Sequence, residues 1–167
     1  MSRLFALALL LAFTLPPIAA EASYQRVVFR DSYPPGTIVV RTSERRLYLV
    51  LRDGQALRYT IGVGKSGKQW YGTRRIVAKF IHPAWSPPAE VKRDNPFLPN
   101  LIAGGSPSNP MGAAAMVLTG GEYAIHGTNR PNSVGGFVSY GCFRMHNTDV
   151  LDLYRKVGVG TSVVVLK

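Results

Sequence analysis

The amino-acid sequence predicts a mainly β domain with one short helix near its C-terminus, and three observations carry that reading. Segments of β-branched and alternating apolar residues recur between Thr37 and Leu166, separated by turn residues. Gly (17) and Pro (12) together make about a sixth of the 167 residues, too many for a bundle of long helices. Only the stretch from Thr148 to about Val157 has helical periodicity with signals at both ends. At 46% hydrophobic and 17% charged residues, the chain is neither a disordered polyelectrolyte nor a fibrous repeat. One cysteine excludes an internal disulfide, so stability has to come from a packed core.

The elements follow in order. Ile38-Val39-Val40 reads as a strand, and the polar Arg41–Arg46 segment separates it from Leu47-Tyr48-Leu49-Val50-Leu51. Asp53-Gly54 is a two-residue hairpin signal. It leads into Leu57, Tyr59 and Ile61, which alternate with Arg58 and Thr60 as a half-buried strand should. Gly62, Gly64 and Gly67 make a basic loop with Lys65 and Lys68, but the spacing is not that of a phosphate-binding loop and no helix follows. Arg75 to Ile81 is a further strand. Residues 82–112, rich in Pro, Gly and Asn, form a long loop inside the domain, with Trp85 as its core anchor or as a substrate-facing aromatic. Met116-Val117-Leu118 and Tyr123 to His126 are strands again. In the helix, Asn147 is placed to cap the start, Asp149 suits the first turn and Gly158 stops it. Its apolar face is Val150, Leu151, Tyr154 and Val157, and Ser162 to Leu166 closes the chain as a buried strand.

The N-terminus has a separate logic. Arg3 gives a small basic start, Leu4 to Leu15 is uninterrupted Leu, Ala, Phe and Thr, and Pro16-Pro17 end any helix. Ala20-Glu21-Ala22 then offers small residues at the spacing that a signal peptidase accepts. The apolar run is about 12 residues, whereas a bilayer-spanning helix needs roughly 20. The expectation is a signal peptide over 1–22 cut after Ala20 or Ala22, a lead segment over 23–36, one domain over 37–167, and export to the periplasm. An uncleaved membrane anchor is the alternative, and with no cysteine near this segment a lipoprotein anchor is excluded.

The formal charge is +11, and it is uneven. Residues 23–93 hold 14 Lys and Arg against Asp31, Glu44, Asp53 and Glu90, whereas residues 94–167 hold five against four acidic residues. Such a field attracts polyanions. No nucleic-acid recognition helix or stacking motif accompanies it, so nucleic acid is not expected as a partner. Outside the cytoplasmic membrane the candidates are anionic cell-wall polymers and lipid head groups, unless the basic residues only solubilise one face.

Chemistry concentrates in His126-Gly127-Thr128 and Ser139-Tyr140-Gly141-Cys142-Phe143-Arg144. Cys142 is the only cysteine and follows a glycine at an expected sharp turn, sixteen positions after His126 at a strand end. A thiol is a nucleophile only as thiolate, with an ordinary pKa near 8.5. A neighbouring imidazole can take its proton and leave an ion pair that attacks carbonyl carbon. The oxyanion then needs preorganised donors worth roughly 3 kcal/mol each. Backbone N–H groups around Tyr140, Gly141 and Cys142 are the candidates, with Gly141 permitting close backbone approach. The Gly127 carbonyl is placed to hold the second imidazole nitrogen. Arg144 either binds a substrate carboxylate or pairs with Asp149 or Asp152, and Ser139 is a substrate-side hydroxyl or a turn residue. A buried structural cysteine and a core histidine are the plain alternatives. A free thiol in an exported protein, however, is an oxidation liability that structure alone rarely justifies. The rival chemistry is a zinc site of Cys142, His146 and His126, but no paired CxxC or HExxH element supports it.

These residues resemble the L,D-transpeptidase catalytic domain of the YkuD type, whose signature is His-Gly, a spacer, then Ser/Thr-x-Gly-Cys, a hydrophobic residue and Arg or Asn. Here it reads His126-Gly127, then Ser139-Tyr140-Gly141-Cys142-Phe143-Arg144. The likeness runs from Thr37-Ile38-Val39-Val40 through Asn109-Pro110-Met111-Gly112 to the strand after Gly160-Thr161. Tyr140 stands where many members have histidine, and Phe143 where many have Ile or Val. The resemblance implies a β-sandwich-like domain with Cys142 as nucleophile and His126 as proton carrier. The residues around that pair, Gly127, Ser139, Tyr140, Gly141 and Arg144, are the candidates for oxyanion and substrate binding. The resemblance further implies attack on the bond between diaminopimelate and D-alanine in peptidoglycan tetrapeptide stems, with no metal or organic cofactor. The acyl-thioester would be resolved by a neighbouring stem amine or a wall-anchored lipoprotein, or by water, which would make an L,D-carboxypeptidase. A non-catalytic wall-binding module is the reading from a different class.

Overall fold

The computed structural model describes residues 22–167. The leader expected over 1–22 therefore lies outside the described residues, except for Ala22.

Eleven strands and two α-helices are present among the described residues, in the order β1 (Gln25–Val28), β2 (Ile38–Arg41), β3 (Arg46–Val50), β4 (Gln55–Thr60), β5 (Val63–Gly64), β6 (Gly72–Ile81), α1 (Ala89–Asp94), β7 (Ala114–Leu118), β8 (Ala124–His126), β9 (Phe137–Ser139), β10 (Phe143–Arg144), α2 (Asn147–Lys156) and β11 (Ser162–Leu166). Nine strands make one sheet in the order β1-β4-β3-β2-β11-β6-β7-β8-β10, and β5 pairs with β9. The mainly β expectation holds.

Strand β6 turns this sheet into two packed halves. Its first residues, Gly72–Arg75, pair with β11, and Ile76–Ile81 pair with β7 across a register shift between Ile76 and Ala78. Such a bulge bends a strand. The two halves then close over one core, where Ile38, Leu47, Leu57 and Tyr59 from one side meet Met116, Leu118, Ile125 and Phe143 from the other. At roughly 25 cal/mol per Å² of apolar surface removed from water, this cluster is the main source of stability.

Local chemistry explains several elements. The β3–β4 hairpin turns on Asp53 (φ 59°) and Gly54 (φ 64°), the double left-handed conformation for which Asp-Gly is suited. β4 alternates as expected, with Leu57 and Tyr59 buried and Arg58 and Thr60 half-buried. β11 lies between β2 and β6, where Val163 and Val165 are buried while Val164 is only half so.

Three differences stand out. The lead segment 23–36 contributes strand β1, which completes the sheet edge against β4. The long loop holds helix α1, tied down by ion pairs rather than by buried apolar residues; Glu90 pairs with Lys68, and Asp94 lies 3.6 Å from Lys65. Within the same loop Trp85 is half-buried and exchanges backbone hydrogen bonds with Ile102 (2.9 and 2.8 Å), so it braces the loop. Finally, Asn147 does not cap α2. His146 occupies the cap position without a side-chain hydrogen bond, and the carbonyls of Tyr154 and Val157 at the other end accept from Lys79 Nζ of β6 (2.7 and 2.6 Å).

Candidate active site

The site is built on two neighbouring parallel strands. β10 pairs with β8 so that Phe143 lies beside Ile125 and Arg144 beside His126. Side chains alternate along a strand, so Phe143 and Ile125 face one way, into the core where both are buried. Arg144 and His126 therefore face the other way. The thiol of Cys142 meets the backbone of Ala124. Cys142 lies one residue before β10, and His126 closes the neighbouring strand β8.

His126 is 4% exposed, and its Nδ1 lies 2.7 Å from the Gly127 carbonyl. A carbonyl only accepts, so Nδ1 carries the proton and Nε2 of the neutral ring is left as an acceptor. Burial, reinforced by the Arg144 charge, pushes the His126 pKa down to about 4 despite the carbonyls of Gly127 and Pro110. Burial pushes the Cys142 thiol up, and Ala124 and Arg144 only partly oppose it. Both directions favour a neutral thiol beside a neutral imidazole. These directions disfavour at rest the ion pair expected from sequence and favour transfer of the proton as the sulfur attacks. No hydrogen bond joins the sulfur to the ring among the described residues.

The turn before Cys142 is shaped from inside. Ser139 is 4% exposed; its Oγ donates to the Cys142 carbonyl (2.6 Å) and accepts from the Gly141 N–H (3.1 Å). Ser139 Oγ is thus engaged inside the turn, and the Gly141 N–H is already bonded. No turn or loop hydrogen bond among the described residues uses the N–H groups of Tyr140 and Cys142. Gly141 adopts φ +122°, and a Cβ there would enter the Tyr123 ring. Its carbonyl accepts from Trp70 Nε1 at 2.9 Å, while Trp70 stacks on Tyr123 with centroids 5.0 Å apart and planes 13° from parallel.

Arg144 does not pair with Asp149 or Asp152. Its Nη1 donates to Ser133 Oγ at 2.9 Å, and its Nε is buried without a partner. Burial and the charge of Arg130 lower its pKa. A guanidinium with an unused donor is a place for an anion. Tyr140 looks outward: its hydroxyl donates to Asp94 at 2.5 Å and Lys65 Nζ stands 3.8 Å over its ring, so it links the Cys turn to helix α1. Gly127 provides the carbonyl under His126, as expected. Cys142, His126 and His146 do not form a metal-binding cluster; none of three or more such ligands exists among the described residues.

Trp70 and Asn147 complete the site, and no spacing in the sequence marks either. Trp70 is 71 residues from the carbonyl it holds. Asn147 Oδ1 accepts from the N–H groups of Ala113 and Thr128 (both 3.0 Å) and its Nδ2 donates to the Thr128 carbonyl (3.0 Å). It thereby pins the segment after His126 to the end of the long loop.

Comparison with known proteins agrees with this architecture. The family model "YkuD: L,D-transpeptidase catalytic domain" matches residues 35–165. The Escherichia coli K12 protein named Probable L,D-transpeptidase YbiS is 36% identical over 148 residues, 83% of this chain and 47% of that protein. The chain thus spans about half the length of the curated relatives it matches. A crystal structure of L,D-transpeptidase 3 from Mycobacterium tuberculosis superposes with TM-score 0.63 at 15% identity, over 80% of this chain and 62% of that one, which shows a shared fold. A Brucella melitensis structure described as a probable carnitine operon oxidoreductase caia is 43% identical with TM-score 0.57, over 89% of this chain and 96% of that one; the activity in its description is that protein's. With the His-Gly and Ser-x-Gly-Cys-x-Arg segments on adjacent strands of this fold, the chain belongs to the YkuD-type family of L,D-transpeptidase catalytic domains.

Proposed function

We propose that this protein is an exported cysteine L,D-transpeptidase that removes the terminal D-alanine of peptidoglycan tetrapeptide stems and passes the acyl group to an amine. The observation that carries the reading is the grouping around β8 and β10: the lone thiol of Cys142 one residue before β10, the buried imidazole of His126 at the end of β8, and the Arg144 guanidinium with a spare donor.

In this mechanism the Cys142 proton passes to Nε2 of His126 as the sulfur bonds to the stem carbonyl carbon. The Tyr140 and Cys142 N–H groups receive the negative oxygen. When the carbon–nitrogen bond breaks, His126 returns the proton to the departing D-alanine amine, and an acyl-thioester remains. An acceptor amine attacks next, loses its proton through His126 and releases the Cys142 sulfur. Arg144 holds a donor carboxylate, and Ser139 with Trp70 keeps the turn in shape. The acceptor is a neighbouring stem or a wall-anchored lipoprotein, and the basic residues of 23–93 favour approach to anionic wall polymers. Export through the leader over 1–22 places the enzyme in the periplasm with its substrate.

The test is intact-protein mass spectrometry after exposure to a carbapenem, with the adduct mapped by peptide. It is paired with product analysis on purified muropeptides. A single adduct on Cys142, D-alanine release and crosslinked dimers are expected, all abolished in Cys142→Ala. Shortened monomers without dimers would make the enzyme an L,D-carboxypeptidase. Unchanged products from Cys142→Ala would refute cysteine catalysis.

A further inference from the structure

Asp149, in the first turn of α2, is 0% exposed and plays no part in the chemistry above. No Lys, Arg or His among the described residues forms an ion pair with it. A buried carboxylate without a cation is costly, and the helix dipole offsets only part of that cost. Both of its oxygens are instead bonded to one distant residue: Oδ1 accepts from the backbone N–H of Ser23 (2.7 Å), and Oδ2 from the Ser23 hydroxyl (2.9 Å). The segment is seated further by Tyr24, whose ring lies 5.7 Å from that of Tyr59 and 5.4 Å from Lys156 Nζ.

Ser23 is also the residue that follows Ala20-Glu21-Ala22. Cutting Ala22–Ser23 leaves alanines one and three positions before the break, whereas a cut after Ala20 would leave Ile18 three positions before it, which is not a small residue. We propose that Ala22–Ser23 is the processing site of this protein and that Asp149 receives the new N-terminus. Hydrolysis by a signal-peptidase-type endoprotease adds water across that amide, leaving a carboxylate on Ala22 and an α-ammonium on Ser23. The nitrogen that donates one neutral hydrogen bond to Asp149 then becomes the cation that the buried carboxylate lacks. The gain falls on the first turn of α2, next to Asn147, the residue that pins Ala113 and Thr128 beside the His126–Gly127 segment. Removal of the leader therefore firms the catalytic side of the domain. This inference rests on the proposed export.

The test begins with the full-length chain expressed with its own leader in a bacterial host, recovered from the periplasm and weighed intact. The expected mass is that of a chain beginning at Ser23. Melting temperatures are then compared between this chain and one beginning at Ser23 with an acetylated α-amine, each with Asp149 and with Asp149→Asn. Acetylation keeps the N–H but removes the charge. It is expected to lower the melting temperature by roughly 5 °C with Asp149 in place and to do little in Asp149→Asn. If Asp149→Asn does not fold, the acetylation comparison in the parent chain stands as the test. An exported chain beginning elsewhere overturns the processing site and leaves export intact. A chain beginning at Ser23 that is indifferent to acetylation overturns the pairing. Retention in the cytoplasm with the leader attached overturns this inference and export together.

Discussion

Acid should destabilise this protein through one histidine, and the size of the effect follows from the site. An unfolded histidine titrates near 6.5, whereas burial and Arg144 bring His126 down to about 4 in the folded chain. Above pH 6.5 the ring is neutral in both states, so it contributes no pH dependence. As pH falls towards 4, the unfolded chain takes up a proton that the folded chain refuses, and stability drops. At about 1.36 kcal/mol per pH unit over that gap, the loss is about 3 kcal/mol by pH 4 and levels off below it. The assay is urea denaturation of wild type and His126→Gln at half-unit steps from pH 7.5 to 4. Carboxylate titrations are common to both proteins, so the difference between the two stability curves isolates this ring. The wild-type curve should fall more steeply between pH 6.5 and 4. Parallel curves would refute the buried neutral imidazole, and with it the argument that the proton moves only during attack.

Gly141→Ala places a Cβ in the Tyr123 ring at φ +122° and should cost about 3 kcal/mol, read by urea denaturation together with lost carbapenem acylation. Ser139→Ala strips the Cys142 carbonyl and the Gly141 N–H of their shared partner. A loss of about 2 kcal/mol is expected, with slower acylation measured by stopped-flow and an unchanged adduct site. Asn147→Ala leaves the N–H groups of Ala113 and Thr128 unpaired; about 2 kcal/mol should be lost, with faster amide exchange at both positions by NMR. Arg144→Gln should raise KM for a carboxylate-bearing donor roughly tenfold, and alkylation of Cys142 by a small neutral reagent should slow as well, because the guanidinium that favours the thiolate is gone.

Much of the fold and the centre of the site were legible because they depend on local pattern. Alternation in Leu57, Tyr59 and Ile61 and the Asp53-Gly54 turn are short-range signals, and both reappear in β4 and its hairpin. His126, Cys142 and the Gly127 carbonyl were legible for the same reason, since the chemistry lies within two short segments. What escaped depends on partners far along the chain. Asn147 reads as a cap from its neighbours, yet two loops meeting at α2 claim its amide instead. Helix α1 has no buried residue to give it an apolar stripe, and the ion pairs to Lys65 and Lys68 that hold it are set by the fold.

Residue order alone settled the strand-rich class, the position of the single long helix and the two segments that meet in the site, because turn chemistry and side-chain periodicity act within a few residues. Protonation states, the use of each hydroxyl and amide, and the docking of Ser23 on Asp149 were decided only when distant segments came together. Burial and hydrogen bonding depend on what surrounds a group in space, and for Cys142, Ser139 and Asp149 those surroundings come from strands and turns that the chain order keeps apart.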